Sequence, residues 1–201
     1  LQVAYDFGPA TLTGVVASYQ GKSSGNGDID GGVASAPAGA PFKTPFNSET
    51  GTLNSDLLQN TYELRLASNG DGPLGWQVGA FYWDERFNLI SATFNGTGGM
   101  LPTIITDIVQ RSESWSLFGQ GHYEVSDALK LTAGLRYTDD SRNFRGQRVL
   151  GPPLDVTKKV GDEQLSWDVS ALYEVNDQLN LFARVAQGYR GPSIQGRIAT
   201  S

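Results

Sequence analysis

The feature that most constrains this chain is an alternation of apolar and polar residues with a period of two. In residues 129–138 (LKLTAGLRYT), the apolar residues fall at every second position. Successive side chains of a β-strand point to opposite faces, so such a run predicts a strand with one apolar face. Apolar spacing of three and four residues, which is typical of a helix, is not sustained anywhere. We therefore predict an all-β fold of about eight strands, near residues 2–7, 10–20, 61–68, 74–83, 115–125, 129–138, 165–175 and 179–186.

The predicted connections alternate between short and long. Short turns rich in Gly, Asn, Asp and Pro are expected at Gly8-Pro9 and at residues 69–73, 126–128 and 176–178. Long loops are expected at about 21–58, 88–111 and 142–163. Because every second connection is long, all the long ones leave the same end of the sheet. This arrangement predicts an antiparallel up-and-down transmembrane β-barrel segment with short periplasmic turns and long extracellular loops.

The apolar face could point into a soluble core or outward to lipid. Three observations favour lipid and a bacterial outer membrane. The polar face is rich in Ser, Thr, Gln, Gly and Ala, which suits a water-filled lumen, and the strand centres carry no charge on the apolar face. Aromatic residues gather near strand ends, where interfacial rings are found; they are Tyr5, Phe7, Trp76, Tyr123, Tyr137 and Tyr173. We expect the lipid-facing side chains to include Leu131, Leu135, Trp167 and Leu181.

Composition excludes several classes of function. The chain has 15 Lys+Arg and 21 Asp+Glu, for a net charge of -6, whereas a nucleic-acid partner normally requires a basic surface. The absence of cysteine excludes disulfides, thiolate metal sites and cysteine nucleophiles. A single histidine, His122, leaves little for a histidine metal site or a catalytic triad. We therefore predict no catalytic, metal or cofactor site and no nucleic-acid partner.

Three segments resemble the barrel strands of TonB-dependent outer-membrane receptors. They are SLFGQGHYEVSDALKLTAGLRYTDD (116–140), NLFARVAQGYRGPSIQGR (180–197) and YELRLASNGDGPLGWQVGAFYWDE (62–85). The second contains an aromatic-Arg-x-Pro motif, formed here by Tyr189, Arg190 and Pro192. The resemblance covers most of 59–197. It implies an active-transport receptor for a scarce, bulky extracellular solute, energised by the TonB system. A ferric siderophore is the default solute for the family, and vitamin B12 and glycans are alternatives.

The resemblance also implies that parts of the family's architecture lie elsewhere. The family carries an energy-coupling box, a plug domain inside the barrel and a closing strand that ends on an aromatic residue; none is recognisable here, nor is a signal peptide. Such transporters have about 22 strands, so eight would supply about a third of the wall. We therefore interpret residues 1–201 as one partial barrel domain. Outer-membrane lipid would be its direct partner, and the plug and TonB would act through other parts of the chain. Its first and last strands are expected not to pair.

Seven polar residues are candidates for the lumen face or its rim. They are Glu63, Arg65, His122, Arg136, Asp168, Arg184 and Arg190. The six charged residues could pair with a plug or contact an anionic ligand. His122 could be a ligand contact or a metal ligand, or it could simply be a polar lining residue. Alternatively, the charged ones could pair across neighbouring strands, since opposite charges commonly stabilise sheets. We expect selective capture of a solute to use the long loops, because binding tends to reside on loops carried by a rigid scaffold.

Two other classes of protein fit the alternation. One is a complete, small eight-stranded outer-membrane barrel that acts as an adhesin or structural protein, which would close by pairing its first and last strands. The other is a soluble β-sandwich or barrel that binds a ligand. It would bury its apolar face inside a dry core.

Overall fold

The computed structural model describes residues 1–28, 48–70, 72–95 and 101–194. Throughout this part of the chain the secondary structure is β, in eight strands. No helix within these ranges is long and apolar enough to span a membrane. The strands are β1 (Gln2–Asp6), β2 (Ala10–Asp28), β3 (Ser48–Ser68), β4 (Leu74–Asn95), β5 (Ile104–Ser126), β6 (Leu129–Leu150), β7 (Asp155–Asn176) and β8 (Leu179–Gln187).

All eight strands form one antiparallel sheet in sequence order, from β1 at one edge to β8 at the other. This is the up-and-down arrangement predicted from the alternating connections. β1 and β8 do not pair with each other among the described residues, as expected. The sheet is therefore open, and this part of the chain does not form a closed eight-stranded barrel.

Tight turns join the strands at one end of the sheet. The Gly8 backbone adopts a positive φ of 96°, which favours glycine, and its amide donates to Oδ1 of Asp6 at 2.7 Å. Two-residue turns join β5 to β6 and β7 to β8. In the second, the amide of Gln178 donates to Oδ1 of Asn176 at 3.0 Å. Asn and Asp favour such turns because their side chains can bond to the backbone two residues on.

The strands are much longer than predicted at the opposite end. We expected loops at 21–58, 88–111 and 142–163, but most of the described residues in these ranges continue the strands. The β6–β7 connection comprises only residues 151–154, so the predicted loop at 142–163 is wrong. Residues 29–47 and 96–100, which are the central parts of the expected loops at 21–58 and 88–111, lie outside the described residues. Strands β3 to β7 have 21 to 23 residues, whereas crossing a bilayer takes about 9–11.

The two faces of the sheet differ in exposure. The side chains of Leu131, Leu135, Trp167 and Leu181 are 40%, 53%, 37% and 55% exposed, so they do not form a dry core. On the other face, Ser116 is fully buried and Thr138 is 6% exposed. Since the described residues form a single sheet with no second layer, this burial comes from side chains crowding on the inside of a curved sheet. The polar face is therefore concave and the apolar face convex, which excludes a soluble sandwich.

Two rows of aromatic residues bracket the apolar band on the convex face. The upper aromatic row lies toward the long-connection end and consists of Tyr62, Tyr82, Trp115 and Tyr137. The ring centroids of Tyr62 and Tyr82 are 6.0 Å apart, and those of Trp115 and Tyr137 are 5.4 Å apart. The lower aromatic row, toward the tight turns, contains Tyr123 and Tyr173. Eight residues separate Trp115 from Tyr123 on β5, about 27 Å along a strand and about 21 Å across a membrane at a tilt near 40°. This agrees with an apolar band of about 25 Å.

Beyond the upper aromatic row, the strands continue as what we call the outer extension, for example residues 104–113 of β5 and 139–150 of β6. Alternation of apolar and polar residues fades there, because charged residues such as Arg111 and Arg145 lie on the convex face, while Ile108 and Phe144 are buried on the concave face. Backbone pairing does not require apolar side chains, so the ladder persists. Cross-strand ion pairs add to it, as between Arg145 and Asp155 at 3.2 Å.

Candidate functional site

The strand register places six of the seven candidate residues on the concave face. Directly opposed residues of antiparallel strands share a face. Arg136 is opposite Phe118, and Phe118 is opposite Gly79, which is opposite Arg65. Fully buried Ser116 lies two positions from Phe118, so this row is concave. The strand register also places the other candidates on the concave face. The six residues are Glu63, Arg65, His122, Arg136, Asp168 and Arg184.

Arg136 on β6 is the best-defined feature of this face. The central carbon of its guanidinium lies 5.6 Å from the ring centroids of both Phe81 on β4 and Phe118 on β5. This distance suits a cation–π contact with each ring. Its Nε donates to Oγ1 of Thr138 at 3.3 Å. Among the described residues, Arg136 has no carboxylate partner within ion-pair distance. Since Arg136 lies on the concave face, its remaining donors are available to a partner on that side of the sheet.

Gly79 makes the stacking of Phe118 possible. A Cβ atom at position 79 would lie 2.5 Å from Cζ of Phe118 and 2.7 Å from the carbonyl oxygen of Leu64. The phenyl ring thus occupies the space that a side chain at position 79 of β4 would fill. His122 packs in the same way against Gly75, directly across the β4–β5 pair. His122 is accordingly a packed wall residue, and no group of three His, Asp or Glu side chains within the described residues could hold a metal ion.

The other charged candidates on this face are paired with each other. An Nη atom of Arg184 lies 3.3 Å from Oδ2 of Asp168, which joins β8 to β7. Arg65 Nε lies 2.9 Å from Oε1 of Glu63, two residues away on the same strand. Asp168 and Arg184 therefore pair across neighbouring strands, as the structural alternative expects, whereas Glu63 and Arg65 pair within one strand. Arg136 forms neither kind of pair among the described residues.

Arg190 belongs to a different part of the structure. β8 ends at Gln187, and residues 188–194 leave the sheet. A Cβ atom at Gly191 would lie 2.5 Å from Oδ2 of Asp140 on β6. Since β7 lies between β6 and β8, this segment must cross the concave face over β7. Burial, reinforced by the carboxylate of Asp140, raises the pKa of the Tyr189 phenol well above its usual value. The Arg190 side chain is exposed.

A shallow, open depression of about 320 Å³ lies on the concave face between β5 and β8. It brings Arg136, Asp168 and Arg184 together, whereas Glu63 and Arg65 lie apart on β3. The aromatic and amide side chains of this region were not among the residues predicted from the sequence. One signal was available, since Phe118 is an aromatic residue on an otherwise polar strand face. The concave-face residues that line the depression and were not selected include Phe118, Gln120 and Ser166.

Comparison with known proteins accounts for this architecture. The family described as TonB dependent receptor-like, beta-barrel, matches residues 1–201. The chain belongs to the TonB-dependent receptor β-barrel family. This confirms the resemblance seen in the sequence, and members of the family are receptors of the outer membrane. The chain is thus a stretch of outer-membrane β-barrel, with its convex face toward lipid and its concave face toward the barrel interior.

Individual relatives of this TonB-dependent receptor barrel come from Yersinia. The pesticin receptor of Yersinia enterocolitica is 25% identical over 134 residues, which cover 66% of this chain and 20% of the relative. The pesticin receptor of Yersinia pestis is 27% identical over 135 residues, with the same two shares. The crystal structure of the ferric yersiniabactin uptake receptor FyuA from Yersinia pestis has a TM-score of 0.71 at 20% identity. That match covers 93% of this chain and 27% of FyuA. The chain therefore spans about a fifth of the length of its curated relatives.

Proposed function

We propose that this chain forms part of the wall of an outer-membrane active-transport receptor for a ferric siderophore, energised through TonB. The observation that carries the proposal is the charged, aromatic-lined concave face within a barrel segment of the TonB-dependent receptor family. The similarity to a ferric yersiniabactin uptake receptor favours a ferric siderophore over vitamin B12 or a glycan.

In this proposal Arg136 is the residue of the described wall that contacts a moving partner. Its guanidinium is oriented by Phe81 and Phe118, and its outward donors have no carboxylate among the described residues. It would bind a carboxylate of a plug domain or an anionic group of the solute, since arginine favours planar anions. The pairs Glu63–Arg65 and Asp168–Arg184 would shape the wall around it. The plug and the contact with TonB would come from other parts of the receptor.

Transport is tested by expressing the gene that encodes this chain in a Gram-negative host without its own ferric-siderophore receptors. Uptake of radiolabelled iron is measured for a panel of ferric siderophores that includes ferric yersiniabactin. We expect uptake of at least one complex, and its loss in a host without TonB. Labelled vitamin B12 and labelled oligosaccharides serve as controls. Uptake of a control solute alone would contradict the siderophore proposal, and uptake that does not need TonB would contradict the energy coupling.

The role of Arg136 is tested separately in the same host. We expect Arg136→Gln to lower uptake at equal amounts of receptor in the outer membrane. The matched control is Arg145→Gln, because Arg145 lies on the same strand but pairs with Asp155 on the convex face. Equal uptake by the Arg136 variant and the wild type would exclude Arg136 as a contact residue without affecting the transport proposal.

A further inference from the structure

Two arginines lie directly opposite each other on the convex face, in the outer extension. Arg86 on β4 is the register partner of Arg111 on β5, and both side chains are exposed. Directly opposed side chains have Cβ atoms about 4.5–5.5 Å apart, and like charges there destabilise a sheet. Neither arginine forms an ion pair within the part of the chain that the structure describes. By contrast, Arg145 on the same face is paired with Asp155.

The position of the pair relates it to the membrane surface. Arg86 lies four residues beyond Tyr82, and Arg111 lies four residues before Trp115, so both are on the long-connection side of the upper aromatic row. Four residues correspond to about 13 Å along a strand and about 10 Å along the membrane normal at a tilt near 40°. Arginine side chains are long enough to extend back toward the interface. The guanidinium groups can therefore reach the headgroup layer of the outer leaflet.

An apolar groove lies on the same face, on the membrane side of the pair. Its volume is about 440 Å³, and it runs over strands β2 to β5, including the two strands that carry the arginines. Tyr82 and Trp115 line the end of the groove that is nearest to the arginines. Its other apolar lining side chains include Val16, Tyr62, Leu64 and Leu117. A groove of this kind suits acyl chains, so the ligand expected here has a phosphate at one end and hydrocarbon at the other.

We propose that Arg86 and Arg111 bind a phosphate group on the headgroup of an outer-leaflet glycolipid, whose acyl chains lie along the apolar groove. Guanidinium groups bind phosphate through paired, charge-assisted hydrogen bonds. A phosphate between the two arginines would also remove the repulsion between them. A free phosphate ion would use the arginines but not the groove, and for this reason we assign the site to a lipid.

Carboxylates on the same strands are the competing partners for these arginines. Asp84 and Glu113 are directly opposite each other, two positions closer to the upper aromatic row. Diagonal ion pairs with them could neutralise the arginines within the sheet. No such pair is formed among the described residues, and Oδ2 of Asp84 instead accepts a hydrogen bond from Nδ2 of Asn60 at 3.2 Å. The arginines thus remain available to an external anion.

The test measures the lipid that stays bound to the protein. The protein is expressed from its own gene in the outer membrane and purified in a mild detergent, and retained phosphorylated glycolipid is quantified by native mass spectrometry. We expect the double variant Arg86→Gln/Arg111→Gln to retain about tenfold less lipid than the wild type, because both charge-assisted phosphate contacts are lost. The double lysine variant should retain an intermediate amount, since lysine binds phosphate as a point charge. Arg145→Gln is the matched control and should retain as much as the wild type.

Thermal unfolding distinguishes the sources of phosphate and checks folding. Adding phosphorylated glycolipid should raise the Tm of the delipidated wild type, whereas dephosphorylated glycolipid and inorganic phosphate should have much smaller effects. Equal lipid retention by the glutamine variant and the wild type would overturn the proposal. So would an equal loss in Arg145→Gln, or an equal Tm increase with inorganic phosphate. If the double glutamine variant does not fold, the single variant Arg111→Gln is measured in the same way. The inference does not depend on which solute the receptor carries.

Discussion

The apolar band and the outer extension are built from the same strands, yet they follow different sequence rules. Within the band, on β6, exposed Leu131 and Leu135 alternate with polar residues of the concave face. In the outer extension of the same strand the polar residues occupy both faces, although pairing with β5 and β7 continues to Leu150 and Asp155. Alternation of apolar and polar residues therefore reflects a difference in solvent between the two faces of a strand. It does not record where a strand begins or ends.

The largest effect is expected from a charge placed in the apolar band, which tests whether the band and the outer extension meet different solvents. Leu135→Arg introduces a cation near the middle of the lipid-facing side, and we expect a loss of about 2–4 kcal/mol in the free energy of unfolding in lipid vesicles. Gln147→Arg is the matched control, because residue 147 lies on the same strand and the same face but in the outer extension. It should change the free energy by less than about 0.5 kcal/mol, as for an ordinary surface site. Similar losses for both variants would show that the two regions share one solvent.

The packing of side chains on the concave face is tested by adding a methyl group at Gly79. Gly79→Ala places a Cβ atom against the Phe118 ring and the Leu64 carbonyl oxygen, and we expect it to destabilise the protein by about 1–3 kcal/mol. Gly119→Ala is the control, since the nearest atom to its Cβ would be Cγ1 of Val78 at an ordinary 3.5 Å. Chemical denaturation in vesicles measures both. Destabilisation by the control alone would contradict the assignment of the two faces.

A smaller effect on stability is expected from replacing Arg136, which stacks on two aromatic rings. Arg136→Met keeps much of the side-chain volume but removes the charge over Phe81 and Phe118. We expect a loss of about 0.5–1 kcal/mol in the free energy of unfolding, as for an exposed cation–π contact. Arg136→Lys should recover part of it. If methionine is as stable as arginine here, the stacking contributes nothing to the fold, and any role of Arg136 lies in binding alone.

The smallest effect is expected for the ion pair between Asp168 and Arg184. Both side chains are partly exposed, at 30% and 56%, so a double-mutant cycle with Asp168→Asn and Arg184→Gln should give a coupling of about 0.2–1 kcal/mol. The coupling should shrink in high salt, because screening weakens exposed pairs. The Arg145–Asp155 pair in the outer extension should behave alike, since it too is solvated. A coupling that does not respond to salt would indicate a site sealed from water.

The sequence allowed the sheet to be predicted where two solvents meet. Alternation identified eight strands, the tight turns indicated their order, and exposed Leu135 and Trp167 confirm the orientation of the apolar face. The upper ends of the strands could not be predicted, because residues such as 142–150 have no alternation to mark them as a strand. Their β-structure depends on pairing with a neighbouring strand that is itself extended.

The candidate site could be predicted only in part. Strand parity places six of the chosen polar residues on the concave face, and their role there stays a prediction. The stacking of Arg136 depends on which residues lie across the sheet, and Phe81 is two strands away. The crossing of residues 188–194 to Asp140 depends on the same register. Local sequence patterns carry no information on such distant neighbours.

The length of the outer extension has a consequence for encounters at the cell surface. From Trp115 to Ile104, β5 rises by 11 residues, about 37 Å along the strand and about 28 Å above the upper aromatic row at a tilt near 40°. Because β5 pairs with β6 along nearly this whole length, the β5–β6 hairpin projects from the membrane as a continuous two-stranded ladder. A molecule that approaches the membrane along this side of the sheet would therefore meet residues 151–154 well before it reached the lipid.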